Sequence, residues 1–210
     1  MAEVAQHDGR VREVHPCWSC NGPVSARAPF CHTCGAIQPP HALDHFARLN
    51  LVQSFDVSPA DLERQYFGLQ RYFHPDRFAS KTAKERALSL QHATSLNEAY
   101  ETLKNPLRRA EYLLTLKGKK PHGADGTTID DPALLMEAME LREALADAAD
   151  VAAVDRLTAR ATGERDAALS EIGTAFAAGD LDRAAGATAR LAYMAKLLDE
   201  ARSRRARLGA

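Results

Sequence analysis

Aromatic residues make up only 6% of this 210-residue chain, and β-branched residues are thin outside a few spots. That scarcity excludes a strand-rich core, and with Ala, Leu, Arg and Glu dominant, helix is expected to prevail. Long apolar runs are missing as well: nothing approaches the roughly 18 residues needed to span a bilayer, so no membrane partner is expected. The first sixteen residues lack the apolar centre of a secretory signal, and Glu3, Asp8 and Glu13 are foreign to an acid-poor mitochondrial transit peptide. A cytoplasmic, unprocessed chain is the expectation. There is no basic excess either, since the formal net charge is -1, which argues against a general nucleic-acid binder. The near-zero sum conceals an asymmetry. Residues 41–120 carry 13 Lys or Arg against 9 Asp or Glu, while 121–210 carry 11 against 16, a split that suggests two partners rather than one.

Cysteine is absent outside one short window, where Cys17-Trp18-Ser19-Cys20 and Cys31-His32-Thr33-Cys34 form two C-x-x-C pairs separated by ten residues. This spacing is a strong metal signal. Each turn points two thiolates at one ion, and two turns complete a tetrahedral shell. Asn21-Gly22 and Gly35 follow the pairs and permit positive φ, while Pro23 and Pro29 favour an extended hairpin. So short a segment cannot fold on apolar burial alone, and metal binding would supply the stability. Disulfides fit poorly with a chain lacking an export signal, and a redox motif would want a βαβ setting. Zinc in a structural role is expected; iron on the same four thiolates stays open. His15 and His32 are read as surface residues.

Pro39-Pro40 closes this first segment, 1–40, as a stiff link that fixes no unique geometry. Residues 41–117 read as a helical hairpin. A short helix over 43–51 precedes a second one capped by Ser58 with Pro59 at its first position. Leu62, Tyr66, Leu69 and Phe73 form its buried stripe, and Arg64 and Arg71 its exposed face. A return helix over about 81–104 turns Leu88, Leu96, Ala99, Tyr100 and Leu103 inward. Between them lies His74-Pro75-Asp76, followed by Arg77.

A basic helix, then His-Pro-Asp, then a return helix resembles the J-domain, by which co-chaperones stimulate ATP hydrolysis in DnaK-type chaperones. The resemblance implies that Asp76 offers a carboxylate to a partner arginine, that Pro75 stiffens the turn and that His74 supplies directional hydrogen bonds. Arg64, Arg71 and Arg77, with Lys81 and Lys84, would steer an acidic surface. Two other readings stay open: an Asx-type turn serving only local backbone donors, and a His74/Asp76 catalytic dyad, for which no nucleophile or phosphate loop is present. The chain is expected not to be an enzyme.

A polar linker over 118–130, with Pro121, Gly123 and Gly126, leads to residues 131–210. There Asp131-Pro132 opens a helix with Leu134, Ala138, Leu141 and Leu145 on one stripe. Leu135, Met136 and Met139, edged by Glu140 and Glu143, form a second, which is either a partner surface or a wide core face. Two longer helices, about 151–177 and 181–205, meet at Gly179-Asp180 and complete a three-helix bundle. Leu157, Ala161, Ala168, Ile172 and Phe176 line one of them, and Leu181, Ala184, Leu191, Leu198 and Ala201 the other, with Tyr193 and Leu197 off its stripe. The fold class is therefore all-α, a hairpin plus a bundle, with a small tetra-cysteine zinc knuckle.

A J-domain joined to an acidic bundle without a Gly/Phe-rich linker resembles the HscB family of iron-sulfur co-chaperones. The segments that carry this are Phe73-His74-Pro75-Asp76-Arg77-Phe78-Ala79-Ser80, the stretch 105–114 beginning Asn105-Pro106, and the stretch 135–143. The resemblance implies that the bundle binds the iron-sulfur scaffold protein through Leu135, Met136, Met139, Glu140, Glu143 and Tyr193 and delivers it to the chaperone HscA. Tyr193 replaces a Phe of better-known members, and the tetra-cysteine arm looks like that of mitochondrial ones. A bacterial cytoplasm is the first expectation and a mitochondrial matrix the second. The rival from another class is a zinc-dependent nucleic-acid-binding regulator using the tetra-cysteine knuckle and the basic end Arg202 to Arg207.

Overall fold

The computed structural model describes residues 14–25, 28–121 and 132–209. The centre of the expected linker and the helix-opening Asp131 lie outside them. Helix dominates, as the composition requires. The described residues include two three-residue strands and seven α-helices: β1 (Val14–Pro16), β2 (Pro23–Ser25), α1 (His45–Arg48), α2 (Pro59–Phe73), α3 (Ala83–Lys104), α4 (Pro106–Leu116), α5 (Pro132–Ala146), α6 (Val151–Ala178) and α7 (Leu181–Leu208). A 3-10 turn, Pro75–Phe78, links α2 to α3.

The helix boundaries are written in side chains. Asn105 accepts from the amides of Leu107 and Arg108, and Pro106 takes the first helical position of α4, where a missing N–H costs nothing. Thr82 and Glu85 form a reciprocal capping box: Thr82 Oγ1 accepts from the Glu85 amide at 3.2 Å, and Glu85 Oε2 from the Thr82 amide at 3.0 Å. This box starts α3 two residues later than the expected Lys81. Asp150 and Asp180 cap α6 and α7, and Gly179, at φ 74°, ends α6 in the left-handed conformation that glycine adopts freely.

The chain forms two compact units, residues up to Leu51 with Glu63–Tyr100, and Val52–Leu62 with the chain from Glu101 onward. In the first, β1 and β2 pair antiparallel with His15 opposite Val24, and the facing parts of α2 and α3 make the hairpin. Tyr66 stacks on Tyr100 at 4.1 Å and donates its hydroxyl proton to Asn97.

The second unit is the helical bundle. Its main cluster contains Leu141, Leu145, Val154, Ala161, Met194, Leu197 and Ala201. Leu197, expected off the α7 stripe, is therefore core, and Tyr193 leans on the same cluster half-buried. Alanine is frequent along α6 and α7, and Ala161 and Ala201 share the cluster with the larger Val154, Met194 and Leu197. Helix α4 packs within the second unit. Leu114 clusters with Ala175, Ala184 and Ala185 of the bundle, because the apolar face of α4 matches these small side chains.

Candidate functional site

The four cysteines converge as their spacing requires. The two knuckles share one backbone design: Cys17 N–H donates to Gly22 O and Asn21 N–H to Cys17 O, and Cys31 N–H donates to Ala36 O and Gly35 N–H to Cys31 O. The tight turns place Asn21 at φ 56° and Gly35 at φ 74°. Gly22 is needed for space rather than for φ, since a Cβ there would lie 3.1 Å from Thr33 Oγ1 and 3.2 Å from Cys20 Sγ.

Cys17 and Cys34 sulfurs are 3.8 Å apart, as are those of Cys20 and Cys31, and all four lie within 4.8 Å of one another. A regular tetrahedron with Zn–S bonds of about 2.3 Å has sulfur edges of about 3.8 Å. The same distances far exceed a disulfide bond of about 2.05 Å, so the four are free thiols poised around a common centre. Backbone amides of Ser19 and Gly22 and the Gln38 side chain donate to sulfur. Burial alone would push the Cys17 thiol up, but the backbone amides of Cys20 and Ser19, with Cys34 and the Gln38 side chain, bring it down to about 6. The Gly22 amide would likewise lower Cys20, yet the crowding thiols Cys34, Cys31 and Cys17, together with burial, push it up to about 12. A set in which Cys17 ionises easily and Cys20 resists is what a cation at the centre would resolve, by making all four thiolates.

The Pro39-Pro40 link fixes no unique geometry by itself, and side-chain contacts seat the arm. Within the first unit, Phe30 stacks on Phe73 of α2 with ring centroids 5.5 Å apart and planes 6° from parallel. The other neighbour of Phe73 is His92 of α3, at 4.3 Å and 7°. His92 Nε2–H donates to Gln38 O at 2.8 Å, and Lys84 Nζ sits 4.2 Å from the Trp18 ring centre. Phe30, Gln38 and His92 belong to no spacing pattern, and nothing in the sequence singles them out; only the pairing of arm with hairpin gives them a role.

His74-Pro75-Asp76 stands at the tip of the hairpin. His74, extended as a residue before proline must be, caps the 3-10 turn, its Nδ1 accepting from the Asp76 amide at 3.3 Å. That leaves the proton on Nε2, available to a partner. The Nδ1 to Asp76 Oδ2 approach of 3.6 Å is then proximity and not an ion pair. Asp76 is 90% exposed, while Phe78 beneath is buried. Ser89 Oγ donates to Phe73 O at 2.8 Å and Arg77 Nη1 to Arg71 O at 3.0 Å, so the carbonyl end of α2 is tied down on both sides. Arg77 thus holds the turn as well as charging it. Arg64 and Arg71 lie exposed on α2, and Lys84 is engaged with Trp18.

On α5 the two stripes separate cleanly. Leu134, Ala138, Leu141 and Leu145 are buried, whereas Met136 and Met139 are 64% and 62% exposed. Leu135 is half-buried and Glu140 and Glu143 are exposed. The wide-core-face alternative therefore does not hold. Glu137, between the methionines, pairs with Arg190 of α7 at 2.7 Å, and Arg190 also reaches Glu164 of α6. The five α5 residues share one surface; Tyr193 comes from α7 and packs on the core. The basic C-terminal end is used internally: Arg204 donates to Ala146 O and Ala148 O, Arg205 pairs with Asp155, and Arg202 with Asp199.

The family model for the HSCB C-terminal oligomerisation domain matches residues 130–202. A mouse protein, the iron-sulfur cluster co-chaperone protein HscB, is 36% identical over 186 residues, covering 86% of this chain and 79% of its own. The chain belongs to the HscB co-chaperone family. Among solved structures, human HscB superposes with a TM-score of 0.84 at 31% identity, covering 91% of this chain and 99% of its own. HscB from Vibrio cholerae follows with a TM-score of 0.70 at 35% identity, covering 79% and 99%. The HscB fold is thus shared across most of the chain, and HscB relatives are named as co-chaperones rather than as enzymes. No helix among the described residues is long and apolar enough to cross a membrane.

Proposed function

We propose that this chain is a co-chaperone for iron-sulfur protein maturation that stimulates ATP hydrolysis by a DnaK-type chaperone, HscA, and delivers the iron-sulfur scaffold protein to it. The observation that carries this reading is the presence, in one HscB-family chain, of an exposed His74-Pro75-Asp76 tip in one unit and an exposed Met136/Met139 stripe in the other. The tip works on its partner and performs no chemistry in cis. Asp76 offers its carboxylate to a cation on the chaperone, a charge-assisted bond, His74 donates from Nε2, and Arg64, Arg71 and Arg77 steer an acidic surface.

The stripe of Leu135, Met136 and Met139, flanked by Glu140 and Glu143, binds the scaffold, with Tyr193 contributing from α7. Flexible, polarisable methionines suit a surface that must adapt to a partner. Holding both partners on one chain raises the concentration of the scaffold at the chaperone.

The tetra-cysteine centre holds zinc in a structural role, its sulfur edge of 3.8 Å being that of a zinc-thiolate tetrahedron. Cys17, Cys20, Cys31 and Cys34 would all be thiolates, and the closed shell leaves no position for substrate. Free thiols of this kind fit a reducing compartment, such as a bacterial cytoplasm or a mitochondrial matrix. The nucleic-acid-binding alternative is not favoured: the chain has no basic excess, and Arg202, Arg204 and Arg205 each have a partner within the bundle.

The deciding experiment measures ATP hydrolysis by HscA with and without the scaffold, using the native chain and His74→Gln. The native chain is expected to stimulate, more strongly with scaffold present, and His74→Gln to lose stimulation while keeping its helical circular dichroism. Full stimulation by the variant would overturn the assignment of the tip.

A further inference from the structure

We propose that the tetra-cysteine arm is a positioning element for the His74-Pro75-Asp76 turn, acting along a continuous contact path from Cys17 through Gln38 and His92 to Phe73. The functional consequence rests on the co-chaperone reading; the mechanical link does not.

The path begins at the sulfur shell. Gln38, 4% exposed, donates its side-chain amide to Cys17 Sγ at 3.4 Å and to Ala36 O at 2.8 Å, and its backbone carbonyl accepts from His92 Nε2 at 2.8 Å. One residue thus ties the metal knuckle to α3. His92, itself buried, lays its ring against Phe73, and Phe30 of the arm stacks on Phe73 as well. The Phe73 carbonyl accepts from Ser89 Oγ, and the next residue is His74. Two of these three restraints on Phe73, the Phe30 ring and the Gln38-anchored His92 ring, depend on the arm being folded and seated.

The arm has little else to fold on. Its buried cluster is Cys17, Val24, Cys31 and Ala36, with Trp18 and Ala28 at the edge, far too small to offset chain entropy without a bound ion. Holding the ion and holding Phe73 are therefore linked: whatever releases the sulfur shell frees Gln38 and Phe30, and Phe73 then loses the partners that fix the entry to the turn. A second contact, Lys84 over Trp18, ties the first turn of α3 to the same knuckle. A tip that must match a partner's donors within a fraction of an ångström loses potency when its frame loosens. This assigns a job to an arm whose closed four-thiolate shell has no catalytic vacancy.

The test uses the full chain loaded with zinc, the same chain after chelation, and the variants Phe30→Ala, Phe30→Tyr and His74→Gln. Trp18, the single tryptophan, reports undocking by its fluorescence. Two quantities are read: amide exchange across residues 73–78, and the concentration giving half-maximal stimulation of chaperone ATPase.

Removing an aromatic stacking partner corresponds to about a 2- to 12-fold change. Phe30→Ala is expected to raise exchange and the half-maximal concentration by about that factor, and chelation, which frees Gln38 and His92 as well, by at least as much, with the plateau of stimulation retained. Because chelation already releases Phe30, chelated Phe30→Ala is expected to match the chelated native chain on both readouts. Phe30→Tyr keeps the ring and is expected to match the native chain. Unchanged exchange across 73–78 after chelation that alters Trp18 fluorescence would overturn the proposal, as would effects that simply add. Should His74→Gln stimulate fully, the co-chaperone reading fails by itself, and the exchange measurement still decides the link between arm and turn.

Discussion

Replacing Met136 and Met139 together by alanine separates a binding surface from a folding core. Full burial of a methionine side chain is worth about 1.5–3 kcal/mol. With 64% and 62% of the two residues still exposed, about 1–2 kcal/mol each remains for a partner to gain. Alanine keeps the Cβ, so the pair is expected to lose about 2–3 kcal/mol of scaffold affinity, or about 30- to 150-fold. Folding stability should move by no more than about 0.5 kcal/mol, as for other surface substitutions, and alanine's helix propensity offsets part of that. Leu141→Ala provides the contrast: at 2% exposure it should cost about 2–5 kcal/mol of stability. Titration calorimetry with the scaffold, thermal unfolding and scaffold-free ATPase stimulation are the three readouts. A double variant that binds the scaffold as well as the native chain would refute the stripe as the docking surface. One that unfolds like Leu141→Ala would refute the division of α5 into an inner and an outer face.

Other consequences follow from the same contacts. Cys31→Ser should abolish stoichiometric zinc retention, measured by metal analysis after gel filtration, while the helical signal of the bundle persists. Asn105→Ala removes the acceptor for two amides of α4 and should cost about 1 kcal/mol in thermal unfolding. Acidification should loosen the seat of the arm through His92. Burial, then Arg48 and His41, hold its ring below the ordinary value of 6.5, outweighing the Gln38 carbonyl. The folded state therefore binds fewer protons than the unfolded state as pH falls through 6.5, and stability drops over that range until the depressed folded value is passed. His92→Phe should flatten this dependence in urea melts run between about pH 7.5 and 5; an unaltered slope would remove His92 as its source.

Much of the fold is legible from one dimension because its signals are local. The Gly179-Asp180 break, the Asn105-Pro106 cap and the inner stripe of α5 each need only a few neighbouring residues to be recognised, and each stands where those residues place it. The sulfur shell is legible for the same reason, since each C-x-x-C turn fixes two ligands within four residues. Boundaries that depend on a competing cap differ: Thr82 and Glu85 displace the start of α3 from Lys81. Assignments that depend on what lies opposite differ too. Leu197 is core, and Leu114 finds its partners in the bundle.

The amino-acid sequence alone determined the helical class, the cluster of four cysteines, the His-Pro-Asp tip and the two stripes of α5, since periodicity and spacing encode which side chains share a face or a turn. Only the tertiary structure decided which α5 stripe stays in solvent, where α4 packs, and that the arm rests against Phe73. Those outcomes depend on complementarity between surfaces far apart in the chain: small alanines beside Leu114, one ring against another, a carbonyl facing an imidazole. No local pattern carries such pairings, and the arm beside the His-Pro-Asp turn is where their physical effect is greatest.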